Sequence, residues 1–389
     1  KMKISGVKIP AGVTITAPEP QQPLAPSGPS KFVVGARMSN SGTGAAYLYN
    51  AVDGTGEVKI TASDGAGNDR FGYSAARSDT RMVVGAAGAN SYAGAVYVYN
   101  TDGTGEQKIV ASDGAASDLF GFSSAISDTH VVAGAIQSNG MAGSAYIYNL
   151  DGTGEVKITA SDGAANDYFG HSVAISDTKV IVGAQYKNNN TGAVGITHAG
   201  AVYVYNLDGT GELKITASDA AASNHFGSSV AIHGDKIIVG AEHADYNQYE
   251  QGRGAVYVYN LDGTGEVKIT ASDRNLGDGF GVSVAISDTH IVVGARGNDD
   301  AGSSSGSVYV YNLDGTGEVK ITASDAASED YFGISVAIQG DKIIVGAYGN
   351  DDAGSSSGSA YVYNLDGTGE VKIQASDAAG GDEFGYSVA

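Results

Sequence analysis

The fold is decided by one stretch of sequence, residues 169–219, which contains the segments FGHSVAISDTKVIVGA (169–184), AVYVYN (201–206) and DGTGELKITASD (208–219). Apolar and polar residues alternate in parts of these segments, as they do in half-buried strands. Ser176-Asp177-Thr178 and Asp208-Gly-Thr-Gly read as turns, because aspartate and glycine tolerate the backbone angles of tight connections. The stretch therefore predicts four antiparallel strands, at 169–175, 179–184, 201–205 and 212–217.

The same unit recurs seven times along the chain. Each copy contains Phe-Gly, a valine-rich run ending in Gly-Ala, Tyr-x-Tyr-Asn, Asp-Gly-Thr-Gly-Glu and Ala-Ser-Asp. The Phe-Gly pairs begin at Phe71, Phe120, Phe169, Phe226, Phe280, Phe332 and Phe384. Periods of roughly 40 to 55 residues with several short strands indicate a solenoid or a propeller. Four strands in each of seven units predict an all-β fold, a seven-bladed β-propeller of four-stranded antiparallel blades.

The two ends of the repeat region favour a closed ring. The repeats begin at a second strand, Phe32–Ala36, and finish on a lone first strand, Phe384–Ala389. We expect the C-terminal strand to complete the first blade, because closure leaves no unpaired edge between blades. An open solenoid would need polar capping repeats instead. The propeller domain is therefore predicted to cover residues 32–389.

Residues 1–31 form a different kind of segment. All six prolines of the chain fall in this segment, and its lysines outnumber its single acidic residue, Glu19. Proline-rich sequence is typical of extended spacers. We expect an extended N-terminal arm or linker that tethers the propeller to a larger assembly. No apolar stretch of secretory-signal length follows Met2, so no signal peptide is expected.

The composition excludes several classes of function. The chain has 389 residues, with 22 Lys and Arg against 43 Asp and Glu, and a net charge of −21. Nucleic acids and anionic membranes require a basic surface, so neither is expected as a partner. The absence of cysteine removes disulfides and thiolate metal sites. No apolar run is long enough for membrane insertion.

These motifs resemble the FG-GAP repeat family, whose best-known members are the propellers of integrin alpha subunits. The segment from Gly297 to Ser307 comes close to the consensus of bacterial versions. Two departures stand out. The proline of Gly-Ala-Pro is replaced in every unit, for example by Arg296 and Tyr348. The family's calcium loop between the first and second strands is here only Ser-Asp-Thr or Gly-Asp-Lys, so the integrin-type calcium sites do not carry over.

Strand order sorts the connections into two faces. The loop face holds the loops between second and third strands and the linkers between blades. The turn face holds the Ser-Asp-Thr and Asp-Gly-Thr-Gly turns. The two large insertions, in 185–198 and 242–253, fall next to each other on the loop face, and tyrosine and arginine are enriched at binding hot spots. The predicted ligand-binding residues are Tyr186, His198, His243, Tyr246, Tyr249 and Arg253. The alternative is that both insertions are solvated loops without a ligand.

Pairs of aspartates precede the Phe-Gly motifs and suggest Ca²⁺, which takes six to eight oxygen ligands. The candidate ligands are Asp64, Asp69, Asp113, Asp118, Asp162, Asp167, Asp273, Asp278, Asp325, Asp330, Asp377 and Asp382, with Asp299, Asp300, Asp351 and Asp352 as further candidates in two loops. One copy of the motif has Asn224 as its second member. The alternative is that each aspartate accepts backbone N–H groups and shapes a turn.

Catalysis has little support in the sequence. The seven histidines do not recur at one common repeat position, and the Gly-x-Ser-x-Gly, His-Glu-x-x-His and phosphate-loop motifs do not occur. The Tyr-x-Tyr pairs are expected to pack between blades. The predicted function is a non-enzymatic extracellular or virion-surface module that binds a glycan or protein on a cell surface. The alternative is a purely architectural subunit of a virion or surface assembly, without ligand recognition.

Overall fold

A computed structural model describes residues 31–188, 197–245 and 252–389. These residues form seven four-stranded antiparallel sheets arranged as the blades of a propeller, as the repeat predicted. Blade 1 combines the last strand with the first three, in the order β28-β1-β2-β3, and blades 2 to 7 each use four consecutive strands. Within each blade the first strand is innermost and the fourth lies at the outer edge.

The strand bounds repeat closely from blade to blade. They are β28 Phe384–Val388, β1 Lys31–Ala36, β2 Ala45–Asn50 and β3 Val58–Ile60 in blade 1; β4 Phe71–Arg77, β5 Arg81–Ala86, β6 Ala95–Asn100 and β7 Gln107–Ile109 in blade 2; β8 Phe120–Ile126, β9 His130–Ala135, β10 Ser144–Asn149 and β11 Val156–Ile158 in blade 3; β12 Ser172–Ile175, β13 Lys179–Ala184, β14 Ala201–Asn206 and β15 Leu213–Ile215 in blade 4; β16 Ser229–His233, β17 Lys236–Ala241, β18 Ala255–Asn260 and β19 Val267–Ile269 in blade 5; β20 Phe280–Ile286, β21 His290–Ala295, β22 Ser307–Asn312 and β23 Val319–Ile321 in blade 6; and β24 Ser335–Gln339, β25 Lys342–Ala347, β26 Ser359–Asn364 and β27 Val371–Ile373 in blade 7.

Within the described ranges, three four-residue segments on the loop face have helical hydrogen bonding: α1 Ser39–Gly42, α2 Ala89–Tyr92 and α3 Ser138–Met141. Their central residues have positive φ, as at Asn40 with φ 52° and ψ 54°, so each is a compact turn rather than a regular helix. The second-to-third-strand loops of blades 1 to 3 are therefore closed locally by their own backbone. The two large insertions lie in the corresponding loops of blades 4 and 5.

The ring closes as predicted, because the C-terminal strand β28 pairs with β1. The backbone N–H of Val33 donates to the carbonyl of Ala389 at 2.8 Å, and the N–H of Ala389 donates back at 2.9 Å. Lys31 already belongs to β1, one residue before the predicted domain boundary. The remaining residues of the predicted arm lie outside the described residues.

The hydrophobic core consists of layers between neighbouring blades. Between blades 4 and 5, for example, the buried side chains of Val202 and Ile215 pack with Phe226, Tyr257 and Tyr259 of the next blade. Each Phe-Gly phenylalanine meets both rings of a Tyr-x-Tyr pair edge-on, at 5.3 and 6.1 Å in blade 5. This geometry is favourable for aromatic pairs. The packing of Tyr257 and Tyr259 against Val202 and Ile215 of the preceding blade confirms that the paired tyrosines pack between blades.

A repeated set of polar contacts links each blade to the linker that leaves the preceding one; we call it the latch. In blade 5, the Tyr257 hydroxyl donates to Asp219 Oδ1 at 2.8 Å and Lys268 Nζ contacts Oδ2 of the same aspartate at 2.6 Å. Glu266 accepts the backbone N–H and the hydroxyl of Ser218, at 3.0 and 2.5 Å. The same contacts recur in all seven blades, so the repeated acidic residues hold the ring together.

A glycine is needed where adjacent blades approach most closely. Gly254, at φ 88°, forms a parallel bridge with Phe280 of the next blade. A Cβ on Gly254 would lie 2.1 Å from the Phe280 carbonyl oxygen. A side chain there would push the blades apart, and the positive φ is itself unfavourable for other residues.

The structure differs from the sequence-based strand bounds in two ways. The outer strands contain three residues, not six, because the chain leaves the sheet to reach the latch. The carboxylate of Glu212 in blade 4 accepts the backbone N–H of Ser161, and Glu212 does not continue the strand pairing of β15. The inner strands of blades 4, 5 and 7 begin after the Phe-Gly pair, at Ser172, Ser229 and Ser335.

Candidate functional site

The loop face is built from three positions in each blade that surround the Phe-Gly and Gly-Ala motifs. One residue precedes each Phe-Gly pair, one follows it, and one follows each Gly-Ala. Because Phe71 pairs with Ala86 in the sheet register, the two motifs end at the same edge of the blade. The first position holds Arg70, Leu119, Tyr168, His225, Gly279, Tyr331 and Glu383; the second holds Tyr73, Phe122, His171, Ser228, Val282, Ile334 and Tyr386; the third holds Arg37, Ala87, Ile136, Gln185, Glu242, Arg296 and Tyr348.

The residue before each phenylalanine has an unusual backbone conformation. All seven have φ between 55° and 64°, although six of them are not glycine. The backbone is fixed there by bonds to the preceding blade: Arg70 N–H donates to the Gly42 carbonyl at 2.8 Å. A left-handed conformation costs an ordinary residue about 1–2 kcal/mol. Such strain clusters at functional sites, and here it directs one side chain onto the loop face in each of the six blades that have no glycine at this position.

The first strands of the seven blades line a central channel. On the loop face, an arc of aromatic rings curves around the mouth of this channel. Tyr348, Tyr386, Tyr73, Phe122 and His171 follow one another with centroid separations of 5.6, 5.4, 5.1 and 5.2 Å. The guanidinium carbon of Arg37 lies 3.5 Å from the centroid of Tyr386, and Arg37 Nε donates to the Glu383 carboxylate at 2.6 Å. The arc offers ring faces, ring edges and a fixed cation side by side.

A second cluster joins blades 4 and 5, where the sequence predicted a binding site. Tyr186 meets His198 edge-on at 5.2 Å and His225 at 4.8 Å, and His225 stacks on His243 at 4.4 Å. The structure thus brings together three of the six predicted residues. It adds His225, which sequence reasoning passed over because this residue lies in the linker before Phe226 and not in an insertion.

The other predicted residues of this site have different outcomes. Arg253 is partly buried, and its backbone joins the insertion to the next blade by accepting from Phe280 N–H at 3.3 Å. Tyr246 and Tyr249 lie outside the described residues. Whether any of the six binds a ligand stays a prediction.

Burial governs the electrostatics of the histidine cluster. Burial, together with the neighbouring His243, lowers the pKa of His225 to about 3, so this imidazole is neutral at physiological pH. Burial also raises the pKa of the Tyr186 hydroxyl. Glu242 faces Arg296 at 3.5 Å. A pocket of about 170 Å³ opens beside them, lined by Glu242, His243 and Arg296 among others.

The first aspartate of each predicted calcium pair belongs to the latch. Asp64 accepts from Tyr97 at 2.8 Å and contacts Lys108 at 2.5 Å. The hydrogen bond from Lys108 is the main reason that the pKa of Asp64 lies below its usual value. The lysine ammonium occupies one side of each such carboxylate. The members with this role are Asp64, Asp113, Asp162, Asp219, Asp273, Asp325 and Asp377.

The second aspartate of each pair shapes the linker turn. Asp69 Oδ2 accepts the backbone N–H of Ala66 at 2.8 Å. The same bond is made by Asp118, Asp167, Asp278, Asp330 and Asp382. The loop aspartates are similar: Asp299 and Asp351 accept the N–H groups of Ser304 and Ser356 at 2.7 Å, and Asp300 and Asp352 contact lysines of the latch. These contacts match the turn-shaping alternative, and Ca²⁺ binding stays a prediction.

In blade 4 the chain supplies its own cation to an aspartate pair. The Lys187 ammonium contacts Asp167 Oδ2 at 2.8 Å, Asp162 Oδ1 at 3.5 Å and the Asp162 carbonyl. The side chains of Lys187 and Asp167 are only 6% and 3% exposed. In blade 7 the equivalent residue is Asn350, which donates to Asp330 at 3.4 Å. This buried ion pair was not anticipated from the sequence.

Comparison of the seven units with one another reveals a signal that sequence reasoning missed. The residues of the latch and of the core repeat almost unchanged, whereas the three loop-face positions differ in nearly every blade. Tyrosine shows the contrast clearly. Fourteen of the 23 tyrosines form the Tyr-x-Tyr pairs, and the seven others that the structure describes all belong to loop-face segments. The variable positions could therefore have been found by aligning the repeats.

The blade architecture and the loop face define a β-propeller of the class that presents variable residues on a repeated scaffold. The FG-GAP repeat family matches six segments of the chain, 55–99, 104–148, 153–205, 210–259, 264–311 and 316–363. These segments cover more than half of the sequence, and the chain belongs to the FG-GAP repeat family. The resemblance noted from the motifs is thereby confirmed.

Each match runs from an Asp-Gly-Thr-Gly turn to the next Tyr-x-Tyr strand, so it joins the outer strand of one blade to three strands of the next. Propellers of this family are typically non-enzymatic, and the fold is consistent with a binding or adhesion module. No curated protein matches the sequence significantly. Among the described residues, no helix has the length and apolar character needed to cross a membrane.

Proposed function

We propose that the chain is a non-enzymatic binding module of a cell or virion surface, which recognises a glycan or a protein through its loop face. The observation that carries this proposal is the distribution of differences among the repeats. Seven nearly identical blades diverge at the positions that surround the channel mouth on one face. Function tends to reside on loops held by a rigid scaffold.

The opposite face supports the proposal by contrast. On the turn face every blade carries Asp-Gly-Thr-Gly, in which the aspartate accepts the N–H and hydroxyl of the threonine, at 3.0 and 2.6 Å for Asp208 and Thr210. A surface made of seven copies of one turn has little capacity to distinguish ligands. The loop face is asymmetric, with an aromatic arc on one side and the histidine cluster on another.

The chemistry of the loop face suits either ligand class. Tyrosine and arginine dominate binding hot spots because they combine a large ring or planar surface with polar groups. Tyr331 stacks on Tyr348 with 8° between the rings at 5.1 Å, and both are only partly buried. This pair has the amphipathic surface on which a sugar ring or an apolar protein side chain would pack.

The proposal is tested with a glycan array and, in parallel, a displayed library of extracellular protein domains. The best binder from either screen is then titrated against wild type and a Tyr331→Ala/Tyr348→Ala double variant. Loss of a hot spot costs at least about 2 kcal/mol, so affinity should fall about 30-fold. Lys179→Ala on the turn face is the control and should bind normally. Equal affinity of the double variant, or weaker binding of the control alone, would contradict the proposal.

We also propose that residues 1–31 attach the module to a larger assembly at the cell or virion surface. The support is compositional: the segment is proline-rich and basic, whereas the rest of the chain is acidic. Deletion of residues 1–30 should abolish copurification with that assembly and leave the loop-face affinity unchanged. If the chain copurifies stoichiometrically with an assembly and no ligand is found for the loop face, the architectural alternative is favoured.

A further inference from the structure

The histidine cluster on blade 5 contains a set of metal-ligand atoms. One imidazole nitrogen each from His225 and His243 and a carboxylate oxygen from Glu242 all lie within 4.8 Å of one another. They come from two segments of the same blade: His225 precedes the Phe-Gly pair, and the other two residues follow the end of β17. We propose that these three side chains form a binding site for Zn²⁺ or a similar divalent transition metal.

The donor set selects the class of metal. Two imidazoles and one carboxylate form the same set of ligands that holds Zn²⁺ in many sites with one open position. Imidazole suits Zn²⁺, Ni²⁺ and Cu²⁺, whereas Ca²⁺ prefers oxygen ligands only. The proposed site is therefore distinct in position and chemistry from the aspartate pairs considered for Ca²⁺. Tyr331 lines the same pocket as Glu242 and His243, but Zn²⁺ binding can be measured without a ligand for the aromatic arc.

The backbone holds the buried ligand in place. His225 N–H donates to the His198 carbonyl at 3.2 Å, and its carbonyl accepts from Ser228 N–H at 3.0 Å. The residue adopts φ 56°, which directs its side chain to the loop face. This preorganisation reduces the rearrangement that metal binding requires.

The other two ligands have room to close around a metal. Ligands of Zn²⁺ bind at about 2.0–2.2 Å, so the three donor atoms must draw nearer than their present separation. The rings of His225 and His243 are now stacked with 26° between their planes, and His243 has to turn so that both nitrogens point to one centre. Glu242 and His243 line the 170 Å³ pocket, which offers space for this rotation and for a water as fourth ligand.

The metal replaces the present contacts of Glu242. Its carboxylate faces Arg296 Nη2 at 3.5 Å, a long ion pair, and the Arg296 side chain is 41% exposed. The arginine can therefore move toward solvent at little cost when the carboxylate turns to the metal. Binding would tie the linker before Phe226 to the loop after β17, next to Tyr186.

The test uses the full chain without a histidine tag, stripped of metal and titrated with ZnCl₂ by calorimetry. We expect one equivalent to bind wild type. His243→Ala removes one of three ligands. It should weaken binding by more than the about 10- to 100-fold loss that follows when a residue that only supports a ligand is removed. The matched control is His233→Ala in the same blade, whose ring contacts Asp288 at 2.7 Å on the turn face; its affinity should equal that of wild type.

Three results would overturn the proposal: no stoichiometric Zn²⁺ binding by wild type, equal binding by His243→Ala, or displacement of Zn²⁺ by a thousandfold excess of Ca²⁺. Because His243 is partly exposed, the variant should fold, and its melting temperature without metal checks this. Co²⁺ provides a second readout, since a tetrahedral site with nitrogen ligands gives it intense visible absorption. Wild type should show this absorption and His243→Ala should lose it; an unchanged spectrum in the variant would place the metal elsewhere.

Discussion

The buried ion pair of blade 4 gives a sharp test of how the blades are held together. Lys187 and Lys214 both contact Asp162, but their surroundings differ: the Lys187 side chain is 6% exposed and that of Lys214 is 31% exposed. Changing each lysine to methionine removes the same charge at nearly constant length. The two variants should therefore separate the cost of an uncompensated buried carboxylate from that of a lost surface pair.

The expected magnitudes differ several-fold. Removing one partner of a buried ion pair costs about 3–5 kcal/mol, and Lys187→Met should fall near 3 kcal/mol because Ala164 N–H still donates to Asp167 at 2.7 Å. Lys214→Met should cost about 0–1 kcal/mol, the range for exposed pairs. At an unfolding entropy of about 2.1 cal/mol/K per residue, 3 kcal/mol lowers the Tm of a propeller of this length by about 4 °C.

The assay is differential scanning calorimetry at pH 7, with urea unfolding as a second measurement. Lys187→Asn serves as a partial rescue, because Asn350 already fills the equivalent position in blade 7 and donates to Asp330. It should destabilise less than Lys187→Met. A Tm of Lys187→Met within 1 °C of that of Lys214→Met would refute the reasoning. It would mean that the aspartate pair tolerates the loss of its cation.

Three further predictions concern the latch, the close approach of the blades and ring closure. The pKa of latch carboxylates such as Asp64 is lowered in the folded state, which stabilises the fold above about pH 4. This stability is lost as the pH falls through the folded-state pKa, so the urea midpoint should drop on acidification. Lys108→Met should reduce the drop, because Lys108 is the main cause of the lowered pKa of Asp64. Gly85→Ala should lower the free energy of unfolding in urea by about 3 kcal/mol, because the new Cβ would lie 2.2 Å from a carbonyl oxygen of the next blade. Gly140 has open space around it and a φ of 66°, so Gly140→Ala should cost only about 1 kcal/mol. Equal costs for the two variants would contradict the steric argument. Phe384→Ala should cost about 3–5 kcal/mol and speed hydrogen exchange in β1, because β28 pairs with β1. In Phe226→Ala, the same change in blade 5, exchange in β1 should be slower than in Phe384→Ala. Identical exchange in β1 of the two variants would argue against closure through β28.

The sequence predicted the parts of this fold that depend on local pattern. Strand number, turn chemistry and the packing role of the Tyr-x-Tyr pairs follow from alternation and repetition, and all are confirmed. Ring closure followed from counting, because the first and last strands complete one blade. The outer strands were predicted too long. Alternation continues through Glu212, but the carboxylate of that residue is drawn to Ser161 in the neighbouring blade, and a periodic pattern carries no information about such a contact.

The latch was beyond sequence reasoning for the same reason. A repeated aspartate indicates a repeated role, but its partners lie about one blade away: Lys268 is 49 residues from Asp219. Without knowledge of these partners, the sequence could not distinguish a metal ligand from one member of an ion pair at the latch aspartates. His225 was missed because it lies in the linker before Phe226, outside both insertions, and the pairing of β16 with β17 within blade 5 brings it to His243. His225 and His243 differ by 18 positions, yet their rings stack.

The latch also explains how seven similar units tolerate a net charge of −21. Each latch aspartate has a lysine of the next blade beside it, so these carboxylates are largely balanced within the ring. The aspartates of the Asp-Gly-Thr-Gly turns have no such lysine in the latch and are exposed, from Asp53 to Asp366. The second aspartates of the linker pairs and the loop aspartates add further negative charge on the loop face, so both faces of the propeller are acidic.

This charge balance bears on how the module would meet a charged ligand. Two arginines of the loop face already face carboxylates, Arg37 with Glu383 at 2.6 Å and Arg296 with Glu242 at 3.5 Å. A chain with a net charge of −21 therefore repels an anionic ligand from either face. Added salt screens this repulsion, so the association rate with an anionic ligand should rise with salt concentration. An association rate that instead falls with salt would mean that the arginines of the loop face dominate the approach, and the balance of charge argued for that face would be wrong.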